Sequence, residues 1–304
     1  MDAVVQVTDF RKVYGSTVAV DDISFEVERG EIFGLLGPNG AGKTSTLECL
    51  EGLRQQDGGA LRILDVDPAR QVSKLHNLIG VQLQTSGLPG SMCVGEAMRF
   101  FCAYHKVPPR DDLLQRLGLG EKMRSQYMEL STGLKRRLSL ALAVAHNPPV
   151  VFLDEPTAGL DVASRAELHA MLAELQKNGT TIILATHDMA EAEKMSQRVA
   201  ILLRGRIVAT GSPRELTATG GSLTKVSVHT ENACLADDGV AAFPAVSQSL
   251  FKDDYAVYYS TDPGPTVSAI LAHINAQGDK LIDLRVERPS LEERFLEITN
   301  GGAR

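Results

Sequence analysis

Four largely apolar runs rich in β-branched residues each stop at a glycine or a polar side chain. They are Ile32 to Leu36 before Gly37, Ile79 to Leu83 before Gln84, Val150 to Leu153 before Asp154, and Thr181 to Thr186 before His187. Uninterrupted apolar runs of this length predict strands buried on both faces. Helical stretches separate several of them, at Lys43 to Leu53, Arg136 to His146 and Ala163 to Lys177, so the predicted assembly is a parallel α/β sheet. Ligands of such sheets bind beyond the carboxyl ends of the strands. The residues that end the four runs are therefore expected on one edge.

Shorter alternating segments at Val4 to Phe10, Val18 to Val20, Ile23 to Val27 and Leu61 to Leu64 predict a small antiparallel layer. From about residue 85 to residue 146 the pattern is helical, with Val94 to His105 and then Asp111 to Leu117 after Pro108-Pro109, which predicts an inserted helical subdomain. Gly211-Ser212-Pro213 followed by Gly220-Gly221 predicts a boundary, with one domain over residues 1–219 and another over 220–304. The second domain is expected to be small and α+β. Its predicted strands are Lys225 to Thr230, Ala256 to Ser260 and Lys280 to Val286, and its helices Thr266 to Gln277 and Leu291 to Thr299.

The chain has 304 residues, 43% hydrophobic and 23% charged, which is ordinary globular composition and excludes a disordered or fibrous reading. A net charge of -7 argues against a nucleic-acid partner, and the basic triplet Lys135-Arg136-Arg137 reads as a solvated helix face. Cys49, Cys93, Cys102 and Cys234 form no CxxC pair and read as reduced thiols. Met1 to Phe10 lacks the basic start and apolar stretch of a signal peptide. No window approaches the roughly 20 apolar residues of a membrane span, so any membrane path must come from another chain.

The chemistry enters with Gly37-Pro38-Asn39-Gly40-Ala41-Gly42-Lys43-Thr44, which fits GxxxxGK[ST] between a strand and a helix and continues into Ser45. Glycines let successive backbone N–H groups point at phosphate oxygens, and the helix N-terminus adds a favourable dipole. Lys43 is suited to the β- and γ-phosphates of ATP and Thr44 to Mg²⁺. Asp154 and Glu155 close a strand. Two acids there are compatible with plain strand termination, but beside a P-loop they suit a Mg²⁺ ligand and a general base respectively.

With these residues in place, the first 215 or so resemble the ABC ATPase family. Tyr14 matches the adenine-stacking aromatic, although a tyrosine there is equally suited to packing. Gln84 matches the Q-loop glutamine that touches Mg²⁺ or water. Leu130-Ser131-Thr132-Gly133-Leu134 stands where the family has LSGGQ, with Thr132 and Leu134 departing from the pattern, and Ser131, Thr132 and Gly133 would face the ATP of an opposing subunit. Ala158-Gly159-Leu160-Asp161 matches the D-loop, and His187 the γ-phosphate-sensing histidine. Arg288-Pro289-Ser290-Leu291-Glu292-Glu293-Arg294-Phe295-Leu296-Glu297 looks like the ending of daunorubicin-exporter-type drug-resistance ATPases. The resemblance implies a Mg-dependent ATPase subunit with ATP and Mg²⁺ as ligands and Glu155, His187 and Gln84 as catalytic residues. It also implies an ATP-sandwiched dimer with itself or a paralogue, a separate transmembrane permease, and a cytoplasmic place on the inner face of the membrane. The alternative is a soluble or regulatory ABC ATPase with weak turnover and no transport role.

Overall fold

The computed structural model describes residues 2–84, 87–218, 223–235, 243–288 and 290–301. They divide into two compact units, Met1–Pro213 and Arg214–Arg304. The Gly220-Gly221 pair lies outside the described residues.

The first unit opens with β1 (Ala3–Tyr14), β2 (Thr17–Glu28), β3 (Ile32–Leu36), α1 (Lys43–Leu50) and β4 (Gly58–Ile63). Next come α2 (Val72–Leu75), β5 (Ile79–Gln82), α3 (Val94–Tyr104), α4 (Asp111–Arg116) and α5 (Thr132–Val144). It continues through β6 (Val150–Asp154), α6 (Val162–Lys177), β7 (Thr181–Thr186), α7 (Met189–Met195), β8 (Arg198–Leu203) and β9 (Arg206–Gly211), and α8 (Pro213–Ala218) follows.

Strands β1, β2 and β4 form the antiparallel layer in the order β2-β1-β4. The main sheet runs β5-β6-β7-β3-β8-β9, parallel except for the closing β8–β9 hairpin. Every residue of β3, β6 and β7 is buried, as continuous apolar runs require when both faces are covered. One face packs on the antiparallel layer and α1, where the Phe25 and Phe33 rings stack 5.3 Å apart. The other face packs on the helical subdomain and α6.

Register sets where the chemistry falls. In the parallel ladder Leu36 pairs with Thr186 and Asp154 with Ala185, so β3, β7 and β6 end level with one another. Strand β7 lies between the other two, which inserts His187 between the loop after β3 and the acids that close β6.

Two expectations change. Helix α5 begins at Thr132 rather than near Lys135, because Ser131 caps it and its hydroxyl accepts from the Leu134 N–H at 3.3 Å. The Lys135-Arg136-Arg137 triplet is half-buried rather than a solvated face. Arg137 donates to the Leu117 carbonyl and the Ser164 hydroxyl and pairs with Glu167 at 2.7 Å, which ties the helical subdomain to α6.

In the second unit, β10 (Thr224–Thr230), β11 (Val246–Lys252), β12 (Tyr255–Ser260) and β13 (Leu281–Glu287) make an antiparallel sheet in the order β11-β12-β10-β13. It is joined by α9 (Pro263–Ala276) and α10 (Leu291–Gly301). Val226, Val228, Tyr258, Ile270 and Ile274 form its own core.

Candidate functional site

The loop after β3 wraps because two of its glycines admit no side chain. A Cβ at Gly37 would stand 2.3 Å from the Leu202 carbonyl oxygen, and one at Gly42, where φ is +106°, would stand 2.6 Å from the Ala19 oxygen. Pro38, Asn39 and Gly40 are exposed, Ala41 and Gly42 are buried, and Ser45 is half-buried in the first turn of α1. Lys43 is buried and turns back into the loop, donating to the carbonyls of Gly37 at 2.7 Å and Pro38 at 3.2 Å. The loop is thus held in a tight curve that leads into the N-terminus of α1, the kind of backbone arrangement that accepts an anion.

Thr44 donates its hydroxyl to Asp154 Oδ2 at 3.0 Å, so two elements 110 positions apart in the chain meet at the ends of β3 and β6. Asp154 Oδ1 is buried with no hydrogen-bond partner. Burial pushes the Asp154 carboxyl above its ordinary pKa, against the pull of the Thr44 hydrogen bond. A buried acid with one free oxygen beside a threonine hydroxyl fits a hard divalent cation, which takes oxygen ligands and offsets the desolvation. Burial also lowers the pKa of Lys43, and the nearby Glu155 and Asp154 charges oppose that shift.

Glu155 follows with φ of 49°, a left-handed conformation unusual for a residue with a side chain. Its N–H donates to the Ala185 carbonyl at 2.9 Å, which holds the kink. The result points its carboxylate across the strand ends, with Oε2 2.8 Å from His187 Nδ1 and Oε1 3.8 Å from Lys43 Nζ. Strain of this kind at a chemical site is held by its surroundings.

The motif residues fall into two groups. Lys43, Thr44, Asp154, Glu155 and His187 are linked by direct contacts. Ser131, Thr132 and Gly133 instead stand beside the D-loop: a Cβ on Gly159 would lie 3.6 Å from the Thr132 methyl, and one on Gly133 would lie 3.5 Å from Leu160. Asp161 caps α6, accepting from the Ser164 N–H at 2.8 Å. Tyr14 is partly exposed at the end of β1, with Lys12 Nζ 5.2 Å and the Arg54 guanidinium 5.4 Å from its ring centre. Gln84 is exposed two positions beyond β5, which ends at Gln82 rather than Leu83.

A brace behind His187 escaped the sequence. Buried Glu191 accepts from the Thr186 hydroxyl at 2.9 Å and faces His169 Nε2 at 3.2 Å. Thr186 Oγ1 accepts in turn from the Asp188 N–H at 3.0 Å, and Asp188 caps α7. The Asp188-x-x-Glu191 spacing is a readable cap signal, but it says nothing of the inward turn of Glu191.

A parallel sheet whose strand ends carry a P-loop, a threonine–aspartate pair and a histidine-bound glutamate defines a P-loop nucleoside triphosphatase. The comparisons narrow that class. The sequence profile of the ABC transporter family matches residues 20–158. The daunorubicin resistance ATP-binding protein DrrA3 of Streptomyces coeruleorubidus is 32% identical, the alignment covering 100% of this chain and 98% of that protein. A Nod factor export ATP-binding protein I, from Paraburkholderia xenovorans, is 34% identical over 98% of this chain and 97% of its own length. The solved ATP-binding subunit of an ABC transporter superposes with a TM-score of 0.67 at 27% identity, covering 72% of this chain and 93% of that one. The chain belongs to the ATP-binding subunits of the ABC transporters, a family that binds and hydrolyses ATP to power transport. No helix among the described residues is long and apolar enough to cross a membrane.

Proposed function

We propose that this chain powers an exporter, with two ATPase subunits closing on ATP and driving a separate transmembrane permease from the cytoplasmic face of the membrane. The relatives named for export or drug resistance, aligned end to end, support the direction of transport. The observation that carries the hydrolytic reading is the 2.8 Å contact between His187 and Glu155 at the mouth of the P-loop. A histidine that fixes the carboxylate of a general base gives it one orientation toward the attacking water.

On this reading Lys43 exchanges the Gly37 and Pro38 carbonyls for the β- and γ-phosphates of ATP. Thr44 and Asp154, joined by Gln84, would hold Mg²⁺, whose charge would neutralise that of the phosphates. Glu155 takes the proton of the attacking water, and His187 holds Glu155 and reads the γ-phosphate. Tyr14 stacks on adenine, and the partner subunit's Ser131, Thr132 and Gly133 complete the phosphate cage at the N-terminus of α5.

The test is Glu155→Gln. Turnover should fall by about 10²–10⁴, the range for losing a general base, while MgATP binding persists and the ATP-bound dimer accumulates. A mutant that turns over at the parental rate and stays monomeric in light scattering at saturating MgATP rejects the reading.

A further inference from the structure

Gln84 stands beyond the support of the sheet. The ladder between β5 and β6 ends at the Gln82–Leu153 pair, β5 is the outermost strand, and Gln84 is exposed. The chain is met at this exit from α5. Arg136 Nη1 donates to the carbonyl of Leu83, the residue before Gln84, at 3.4 Å.

Arg136 can make this contact because α5 is fixed along β5. A Cβ at Gly80 would stand 2.1 Å from the Ala143 carbonyl oxygen, so the far end of α5 rests directly on the strand. From Ala143 back to Arg136 is seven residues, about 10.5 Å of helix, and from Gly80 on to Leu83 is three residues, about 10 Å of strand. The two lengths match. Seven residues also make nearly two full turns, which bring Arg136 back to the side of the helix that meets β5. Helix α5 therefore runs antiparallel to β5 and clasps it at two points, with its N-terminus, capped by Ser131, toward the strand ends. The guanidinium is close enough to Asp154 to act on it: burial raises the Asp154 carboxyl pKa, and the charges of Lys43 and then Arg136 oppose that shift. One half-buried cation thus faces both Asp154 and the backbone that carries Gln84.

Resting on the proposed place of Gln84 in the Mg²⁺ shell, we propose that Arg136 is a positioning residue for Gln84. Its bond to the Leu83 carbonyl fixes the point at which the chain leaves β5, and with it the reach of the Gln84 carboxamide toward the metal. The guanidinium acts on a metal at this site in two ways of opposite sign. Its charge repels a cation held by Asp154, whereas its hydrogen bond keeps a ligand in place. Removing the side chain therefore tightens metal binding if charge governs and loosens it if positioning governs. Positioning governs, because a half-buried charge is screened by solvent, while a displaced neutral ligand loses its contact altogether.

The probe is Mn²⁺, read from the paramagnetic resonance signal of the free ion as it is titrated into the full chain with a non-hydrolysable ATP analogue, the protein being in excess. ATP binding in EDTA, by calorimetry, and steady-state MgATP turnover are measured on the same variants. Arg136→Met should weaken Mn²⁺ about tenfold, the lower end of the range for losing a group that orients a metal ligand. Its kcat should fall by about the same factor, with KM for MgATP and ATP binding in EDTA within about twofold of the parent. Arg136→Lys, whose ammonium can still donate to the Leu83 carbonyl, should stay within about threefold of the parent in both Mn²⁺ affinity and kcat. Gln84→Ala should weaken Mn²⁺ by a similar factor to Arg136→Met, and the double variant should be no worse than Gln84→Ala, since a positioning residue then has nothing to position. If Arg136→Met is insoluble, Arg136→Gln takes its place with the same expectations. Tighter Mn²⁺ binding in Arg136→Met would make the residue a charge alone and overturns the proposal. Parental Mn²⁺ affinity, a loss confined to KM, or losses that multiply in the double variant overturn it as well. Parental Mn²⁺ affinity in Gln84→Ala removes the glutamine from the shell and the proposal with it. The Glu155→Gln behaviour is independent of all these outcomes, so the transport-ATPase reading stands or falls separately.

Discussion

Lys43→Met should separate what this lysine does for the fold from what it does for the nucleotide. In the free protein the ammonium is buried, donates to two loop carbonyls and lies 3.8 Å from Glu155. Two effects of its removal oppose each other. Burial lowers its pKa, so its charge costs stability at neutral pH, and that cost fades only as pH rises through the lowered pKa toward the ordinary lysine value. Methionine removes the cost but leaves the Gly37 and Pro38 carbonyls without their donor, and the nucleotide-free mutant should stay within about 1 kcal/mol of the parent. The response to ATP should differ sharply. At MgATP one hundred times the parental Kd, binding stabilises the parent by about 2.7 kcal/mol. Losing a charge-assisted bond of about 1.5–3 kcal/mol raises Kd roughly 10- to 150-fold. The same MgATP then stabilises the mutant by only about 0.3–1.3 kcal/mol. For a unit of this size the thermal shift drops from about 5–11 °C to below about 5 °C. Scanning calorimetry of both proteins with and without MgATP checks this, and equal shifts would refute the placement of Lys43 at the phosphates.

Thr132→Gly should change ATP turnover by less than about tenfold and cost under about 1 kcal/mol, because Thr132 already has helical backbone and its methyl rests near Gly159. Ser131→Ala should be more damaging, since it also removes the α5 cap, about 0.5–2 kcal/mol by denaturant titration. Glu191→Ala strands the buried Thr186 hydroxyl and His169, about 1–3 kcal/mol each, and should lower both the unfolding midpoint and turnover, with Glu191→Gln intermediate; parental turnover in a soluble Glu191→Ala protein would remove the brace from the mechanism. A protein of residues 1–213 should fold and bind MgATP, measured by the same thermal shift, because the nucleotide motifs lie within the first compact unit.

The fold was readable where burial is two-sided. Strands β3, β6 and β7 are buried at every position, so nothing interrupts their apolar runs. Strand β8 is nearly as apolar and stops at Arg204, but it turns straight back in a hairpin at Arg204-Gly205, both with positive φ, instead of leading into a helix. Strand β11 left no signal at all: it is an edge strand exposed at all but its first residue, and without a buried face there is no alternation to see. The start of α5 was displaced in the sequence because Gly133, a poor helix former, sits in its first turn.

The site divides along the same line. Residue types and spacing reveal Lys43, Thr44, Asp154 and Glu155, and the family resemblance adds His187, but only the register of β3, β7 and β6 shows why they meet. Glu191 shows what spacing leaves open. In a capping box the third residue's carboxylate reaches back to the cap N–H. Here the Asp188 N–H is already taken by Thr186 Oγ1, so Glu191 has no call to return and turns inward to Thr186 and His169. The hydroxyl of Thr186 therefore donates to a buried acid and accepts from the residue after His187. One threonine fixes both sides of the loop that carries the histidine, and the histidine fixes Glu155. An acid with no contact to the P-loop thus bears on the orientation of Glu155, the proposed general base, through two hydrogen-bonded neighbours, and this route is why its loss should be felt in turnover as well as in stability.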